Sequence, residues 1–182
     1  IGKNRYEWML AYFATLCGLG MSVPLDKGLP YDEVESSLAR SKSDVLVFDK
    51  DHLDMVKDLE KGGNTGVSLF ICMDEIPDYH SVPEIMAKGR SAMKDGNSDY
   101  MSLPVNGDEV SIILFTSGTT SISKAVMLSQ FNITYNIYAM LQTEDIHHGD
   151  VNMAFLPYHH TFGSTGQVLM LATGATTAFC DG

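Results

Sequence analysis

Apolar and polar positions alternate along this chain in blocks of two different periods. From Tyr6 to Leu16 nearly every residue is apolar, which predicts a helix covered on every side. A short strand is expected near Met21 to Val23. Pro30 followed by Asp32 and Glu33 marks a helix start running to about Arg40, because proline suits the first turn and carboxylates suit the positive end of the dipole. Val45 to Phe48 is a continuous apolar run, as in a strand buried on both faces. Asp51 is placed to cap a helix to about Glu60, stopped by Gly62 and Gly63. Val67 to Cys72 reads as the next strand, and Ser81 with Glu84 as a capping box for a helix to about Lys88.

The second half repeats the scheme. Val110 to Phe115 is a strong strand, Lys124 to Met127 a return strand, and Ser129 a cap for a helix over Gln130 to Leu141 with Phe131, Tyr135 and Tyr138 on one face. Val151 to Leu156 predicts a strand, Phe162 to Ala172 a helix ended by Gly174, and Thr176 to Cys180 a last strand. Such alternation predicts an α/β fold of mostly parallel β-sheets flanked by helices. Residues 91–108 hold Gly, Asn, Ser, Asp and Pro with little periodicity. They are read as a loop or linker between two α/β subregions, 1–90 and 109–182.

Composition narrows the partners rather than the fold. The chain has 182 residues, 45% of them hydrophobic, a net charge of -11 and a pI near 4.7. So acidic a body disfavours nucleic acid or an anionic membrane surface, but a nucleotide needs only a local patch of donors. Three scattered cysteines, Cys17, Cys72 and Cys180, point to reduced thiols in a cytosol rather than a disulfide framework. Trp8 to Leu25 carries no charge, yet Gly18, Gly20, Ser22 and Pro24 interrupt it. A buried helix, a turn and a short strand fit better than a membrane span. No convincing cleavage site follows it, which argues against a signal peptide. The start at Ile1 on an all-round apolar helix, and the close at Asp181-Gly182 just after a strand, are read as cuts through a larger protein.

The chemistry concentrates in Thr116-Ser117-Gly118-Thr119-Thr120-Ser121-Ile122-Ser123-Lys124. Hydroxyls, backbone amides and one lysine follow a buried strand directly, a set of donors that suits a polyphosphate. From composition alone a solvated Ser/Thr turn is as good a reading. The spacing is not that of a Walker A loop, since no second glycine precedes Lys124 and Ala125 follows it. The order of residues resembles the signature loop of the acyl-adenylating superfamily, which includes acyl-CoA synthetases, firefly-type luciferases and peptide-synthetase adenylation domains. Val126-Met127-Leu128-Ser129 is similar to the same family. So are Leu156-Pro157-Tyr158-His159-His160-Thr161-Phe162-Gly163, Asn4-Arg5-Tyr6-Glu7-Trp8, Val23-Pro24-Leu25 and Leu29-Pro30. The resemblance covers Ile1 to about Phe48 and Glu109 to Gly182, is weak between them, and is strongest to long-chain fatty acid–CoA ligases. Departures stand at Ser121, Ser123 and Ala125, where the family has glycine, proline and glycine, and at Gln130, where it has histidine.

The resemblance implies part of the large N-terminal domain of an adenylate-forming enzyme. A carboxylic acid, and by the strongest resemblance a fatty acid, would attack the α-phosphorus of ATP to give an acyl-adenylate, and the acyl group would then pass to coenzyme A. Thr116, Ser117, Gly118, Thr119, Thr120 and Lys124 would bind the phosphates, and His160 would orient the acid carboxylate at the mouth of its tunnel. Magnesium would be held by residues outside this chain, as would adenine, ribose and the family's C-terminal lysine, so the chain alone is expected to be inactive. A cytoplasmic enzyme is implied, or one peripheral at a membrane at full length. A zinc site from His147, His148, His159 and His160 is a poor alternative, because adjacent pairs lack helical ligand spacing. Asn132-Ile133-Thr134 matches a glycosylation acceptor but falls in a predicted helix. Three other readings stay open: an aryl-acid or peptide-synthetase adenylation domain, a non-catalytic nucleotide-binding module, and a structural α/β domain whose loop binds nothing.

Overall fold

A computed structural model of the chain describes residues 1–116 and 123–180. Helix α1 (Tyr6–Ala14) passes into a π-helical turn at Thr15–Leu19. It is followed by α2 (Tyr31–Ser41), β1 (Val45–Phe48), a 3-10 turn (Lys50–His52), α3 (Leu53–Gly62), β2 (Leu69–Cys72), β3 (His80–Ser81) and α4 (Val82–Lys94). After a 3-10 turn at Tyr100–Ser102 come β4 (Val110–Thr116), β5 (Lys124–Ser129), α5 (Gln130–Leu141), β6 (Val151–Ala154), α6 (Thr161–Thr173) and β7 (Thr176–Phe179). The expected α/β fold is the observed one.

Strands β1, β2 and β3 form a parallel sheet in that order, with Val45 opposite Leu69 and Cys72 opposite Ser81. Strands β6 and β7 are also parallel, joined through α6, whereas β4 and β5 make an antiparallel hairpin. The apolar stripes of α2 and α3 close the first sheet. Val34, Leu38, Val56 and Leu59 lie at 0–2% exposure against Leu46, Phe48 and Cys72. A second core gathers Trp8 and Tyr12 of α1, Ile112 and Leu114 of β4, Ile133 and Ile137 of α5, and Leu169 of α6. That core takes Trp8, Tyr12, Met73 and Val82 from before residues 91–108 and residues of β4, α5 and α6 from after them.

Several local expectations are corrected. The segment near Met21 makes one parallel bridge, Ser22 to Ile112, rather than a strand. Asp51 does not cap α3; its carboxylate pairs with Lys3 Nζ at 2.7 Å, and a 3-10 turn after Asp49 leads into the helix. Ser81 accepts from the Glu84 amide at 3.2 Å, but the reciprocal half of the capping box is not formed. Lys88, one turn further along α4, draws the Glu84 carboxylate away at 2.6 Å. Helix α4 runs to Lys94, so the first part of the span read as linker is helical. Helix α1 is not covered on every side, for Tyr6 is exposed. Phe131, Tyr135 and Tyr138 are likewise exposed on α5, which buries Ile133 and Ile137 instead. The capping box at Ser129 does form, with the Asn132 side chain accepting from the Ser129 amide at 3.0 Å, so Asn132 is engaged inside a helix terminus. No helix among the described residues is long and apolar enough to cross a membrane.

The end of β1 is tied to the turn before α2 by one imidazole. His52 Nδ1 lies 2.6 Å from Asp49 Oδ1, and Nε2 lies 2.9 Å from the Lys27 carbonyl. Both partners accept, so the doubly protonated ring satisfies both at once. The hydrogen bond to Asp49 pushes the His52 pKa up against the cost of burial. Burial works to raise Asp49, but hydrogen bonds from His52 and the Lys3 amide hold it below the usual carboxylate value. A raised histidine stabilises the fold fully below its unfolded pKa of about 6.5 and loses that contribution as pH rises through its folded value. A lowered aspartate contributes above about 3.9 and loses it as pH falls through its folded value. The pair is thus strongest between about pH 4 and 6.5. His52→Gln is expected to lower the urea midpoint more at about pH 5.5 than at about pH 8.5, and an equal deficit at both would refute the assignment.

Candidate functional site

Two of the segments singled out by sequence are built by different parts of the second core. The first is the mouth of the hydroxyl-rich loop. Ser111 to Leu114 are buried and carry β4 through the core, whereas Phe115 is half-buried and Thr116 exposed. On the partner strand Lys124 to Met127 are exposed. Thr116 and Lys124 are the last cross-strand pair of the hairpin, and Thr116 Oγ1 donates to the Lys124 carbonyl at 3.5 Å. Their side chains therefore leave the sheet side by side, a hydroxyl and an ammonium, where the intervening residues begin and end. Ser117, Gly118, Thr119 and Thr120, with Ser121 and Ile122, lie outside the described residues.

The second segment connects β6 to α6. Its shape follows from Asn4, whose side-chain amide donates to the carbonyls of Ala154 at 2.9 Å and Leu156 at 2.7 Å, while its Oδ1 accepts from the Tyr158 amide at 3.0 Å. One side chain thus satisfies three backbone groups that a connecting loop would otherwise leave to solvent. Tyr158 is buried at 2% and packs against Trp8 with ring centroids 5.4 Å apart. Its hydroxyl donates to Gln167 Oε1 at 3.0 Å, and burial pushes its pKa up to about 12. Gly163 fits beneath the loop because a Cβ there would come within 2.2 Å of the Pro157 carbonyl oxygen.

These contacts present His159 and His160 in opposite ways. His159 turns back to Asp26, with Nε2 3.4 Å from Oδ2. Burial lowers its pKa despite that carboxylate, which favours the neutral ring at pH 7. His160 is exposed and caps α6, its Nδ1 accepting from the Phe162 amide at 3.4 Å. With Nδ1 as acceptor the proton sits on Nε2, which leaves an N–H donor on the outward edge of the ring. Leu156, Pro157, His159, His160, Phe162 and Gly163 line an open hollow of about 410 Å³. Its apolar walls beside one imidazole donor suit the carboxyl end of an aliphatic or aromatic acid.

Among the described residues no hydrogen bond joins His160 to Thr116 or Lys124; His160 caps α6, whereas Thr116 and Lys124 stand at the facing ends of β4 and β5. Two residues that order these segments had no sequence signal of their own. Asn4 stands out only as part of a resembling pentapeptide, and Asp26 sits in a turn far from His159 in sequence.

The family model for AMP-binding enzymes matches residues 1–182. The chain belongs to that family. Fatty acyl-CoA synthetase B of Dictyostelium discoideum is 26% identical over 170 residues, 87% of this chain and 24% of that protein. Long-chain-fatty-acid–CoA ligase 5 of Mus musculus is 27% identical over 201 residues, 99% of this chain and 28% of that protein. The chain thus spans about a quarter of the length of these curated relatives. Among solved structures, the N-terminal domain of FACL13 from Mycobacterium tuberculosis superposes with a TM-score of 0.79 at 18% identity, covering 98% of this chain and 42% of that one. That likeness establishes a shared fold, the N-terminal-domain architecture of adenylate-forming enzymes.

Within this family member α6 offers a paired test of the loop geometry. Gly163→Ala is expected to destabilise the protein by about 1–3 kcal/mol, because the added methyl meets a carbonyl held by the Asn4-braced loop. Gly166→Ala, in the same helix with nothing within 4 Å of the added Cβ, is expected to stabilise by up to about 1 kcal/mol. Thermal unfolding of both variants checks this, and similar shifts for the two would exclude the close approach.

Proposed function

We propose that this chain supplies the phosphate grip and part of the acid-binding mouth of an ATP-dependent acid–CoA ligase. The reading rests on the pairing of Thr116 with Lys124 at the last rung of the β4–β5 hairpin, in a chain of the AMP-binding family. A carboxylate oxygen of the acid bonds to the α-phosphorus of ATP, the bond from that phosphorus to the bridging oxygen breaks, and pyrophosphate leaves. Lys124 and the hydroxyls of Thr116, Ser117, Thr119 and Thr120 hold the leaving phosphates, with Gly118 allowing close approach. Their work is positioning and charge stabilisation. His160 donates through Nε2 to the acid carboxylate and fixes its angle of attack. The sulfur of coenzyme A then bonds to the acyl carbon, the bond from that carbon to the phosphate oxygen breaks, and AMP leaves as the thiol proton is lost to solvent.

A fatty acid is the substrate class favoured, because relatives carrying that substrate in their names match nearly the whole chain and the His160 hollow is walled by apolar groups. Magnesium belongs to the reaction as phosphate counter-ion, and we assign its ligands to residues other than these. In this reading residues 91–108 connect subregions 1–90 and 109–182, and the enzyme works in the cytoplasm.

Lys124 is exposed, so its charge is available to a ligand at little desolvation cost. Titrating pyrophosphate into the chain by calorimetry is expected to show binding that Lys124→Ala weakens roughly tenfold to a hundredfold, the worth of a hydrogen bond to a charged group. Thr116→Val is expected to weaken it less, and His160→Ala not at all, since it faces the acid rather than the phosphates. Equal affinity in the wild type and Lys124→Ala would sink the phosphate reading.

A further inference from the structure

Arg40 stands in the last turn of α2, where a cation meets the negative end of the helix dipole. Its side chain crosses to the β4–β5 hairpin. Nη1 donates to Ser123 Oγ at 3.0 Å and Nη2 to the Ser123 carbonyl at 2.8 Å. The guanidinium carbon lies 4.9 Å from the centroid of the Phe115 ring. One planar group therefore holds both roots of the hairpin mouth: Phe115 precedes Thr116, and Ser123 precedes Lys124. The base of this brace is rigid. Val34 and Leu38 anchor α2 in the first core at 0% and 2% exposure, and Phe115 packs against the same core.

We propose that Arg40 is a positioning residue for Lys124. It acts through Ser123, fixing the backbone from which the lysine projects, and rests on the reading of Thr116 to Lys124 as a phosphate grip. A lysine on an unbraced hairpin end loses both backbone and rotamer freedom when a ligand orders it, whereas a braced one loses only the latter. A guanidinium suits this task better than an ammonium. Its planar fork reaches a carbonyl and a hydroxyl together while stacking on an aromatic face. Both of its partners at Ser123 are neutral, so its charge also remains to favour an anion at the hairpin mouth. Charge and geometry thus make separable predictions.

Pyrophosphate affinity and trypsin cleavage of the 182-residue chain test the brace together. The cleavage rate after Lys124 is read against that after Lys88 in the same digest. Arg40→Ala and Arg40→Lys are both expected to weaken pyrophosphate roughly tenfold. Both are also expected to speed cleavage after Lys124 about threefold or more, as the local backbone opens. Ser123→Ala is expected to shift both readouts the same way but less, and to add little to Arg40→Ala. Wild-type behaviour of Arg40→Lys in both readouts overturns the proposal, because charge alone then suffices. Weaker binding by Arg40→Ala with unchanged cleavage overturns it for the same reason. If the wild-type chain fails to bind pyrophosphate, the phosphate-grip reading fails and the cleavage rates alone decide the brace. Should Arg40→Ala lose its helical circular dichroism, Ser123→Ala carries the comparison.

Discussion

The placement of α1 against the β6–α6 connection is the constraint on which the proposed acid side of the site depends. Asn4 satisfies three backbone groups of that connection, and Trp8, in the first turn of the helix, packs at a tilt against the buried ring of Tyr158. Pairing those amides and carbonyls with one side chain holds the connection to a single path over the core instead of leaving them to solvent. Hydrogen bonds alone would fix the loop's path but not its depth. The Trp8–Tyr158 contact sets the depth, and Gly163 lets the first turn of α6 come up beneath Pro157. With the backbone held on these sides, His159 is drawn inward to Asp26 while His160 is left outward at the helix terminus.

The phosphate side is organised by a different economy. The chain carries 23 acidic against 12 basic residues, so an anion approaches an unfavourable field unless cations are concentrated where it lands. Arg5 and Lys88 are neutralised by carboxylates, Arg5 by Glu7 and Asp74, Lys88 by Glu84. Arg40 and Lys124 stand together at the hairpin mouth, and Arg40 is satisfied there by a hydroxyl and a carbonyl rather than by an acid. Local charge thus departs from global charge at the place where the family's phosphate chemistry is expected. The hairpin supplies the two projecting side chains, and α2 supplies the fixed point against which they are held.

Much of this was legible in the residues themselves. The continuous apolar run at Val45 to Phe48, the mostly apolar stretch from Val110 to Phe115, and the glycine after Thr173 place their elements within a residue or two. Local signals hold where no other side chain competes for the same group. They misled where a nearby side chain had a better offer. Glu84 left its capping box for Lys88, and Asp51 left its cap for Lys3, a residue distant in sequence. The face of Phe131, Tyr135 and Tyr138 is amphipathic by spacing, yet α5 turns Ile133 and Ile137 to the core, since periodicity marks a stripe without saying what lies opposite it.

By itself the sequence determined the α/β class, the hydroxyl-rich run with Lys124 at its end, and the family, because order and spacing are local quantities. Only the tertiary structure decided that Thr116 and Lys124 face each other across a hairpin, that His160 and not His159 is presented outward, and that Arg40 reaches Ser123. Arg40 and Ser123 stand 83 positions apart, and such pairings are set by how helices and sheets share a core rather than by any pattern along the chain.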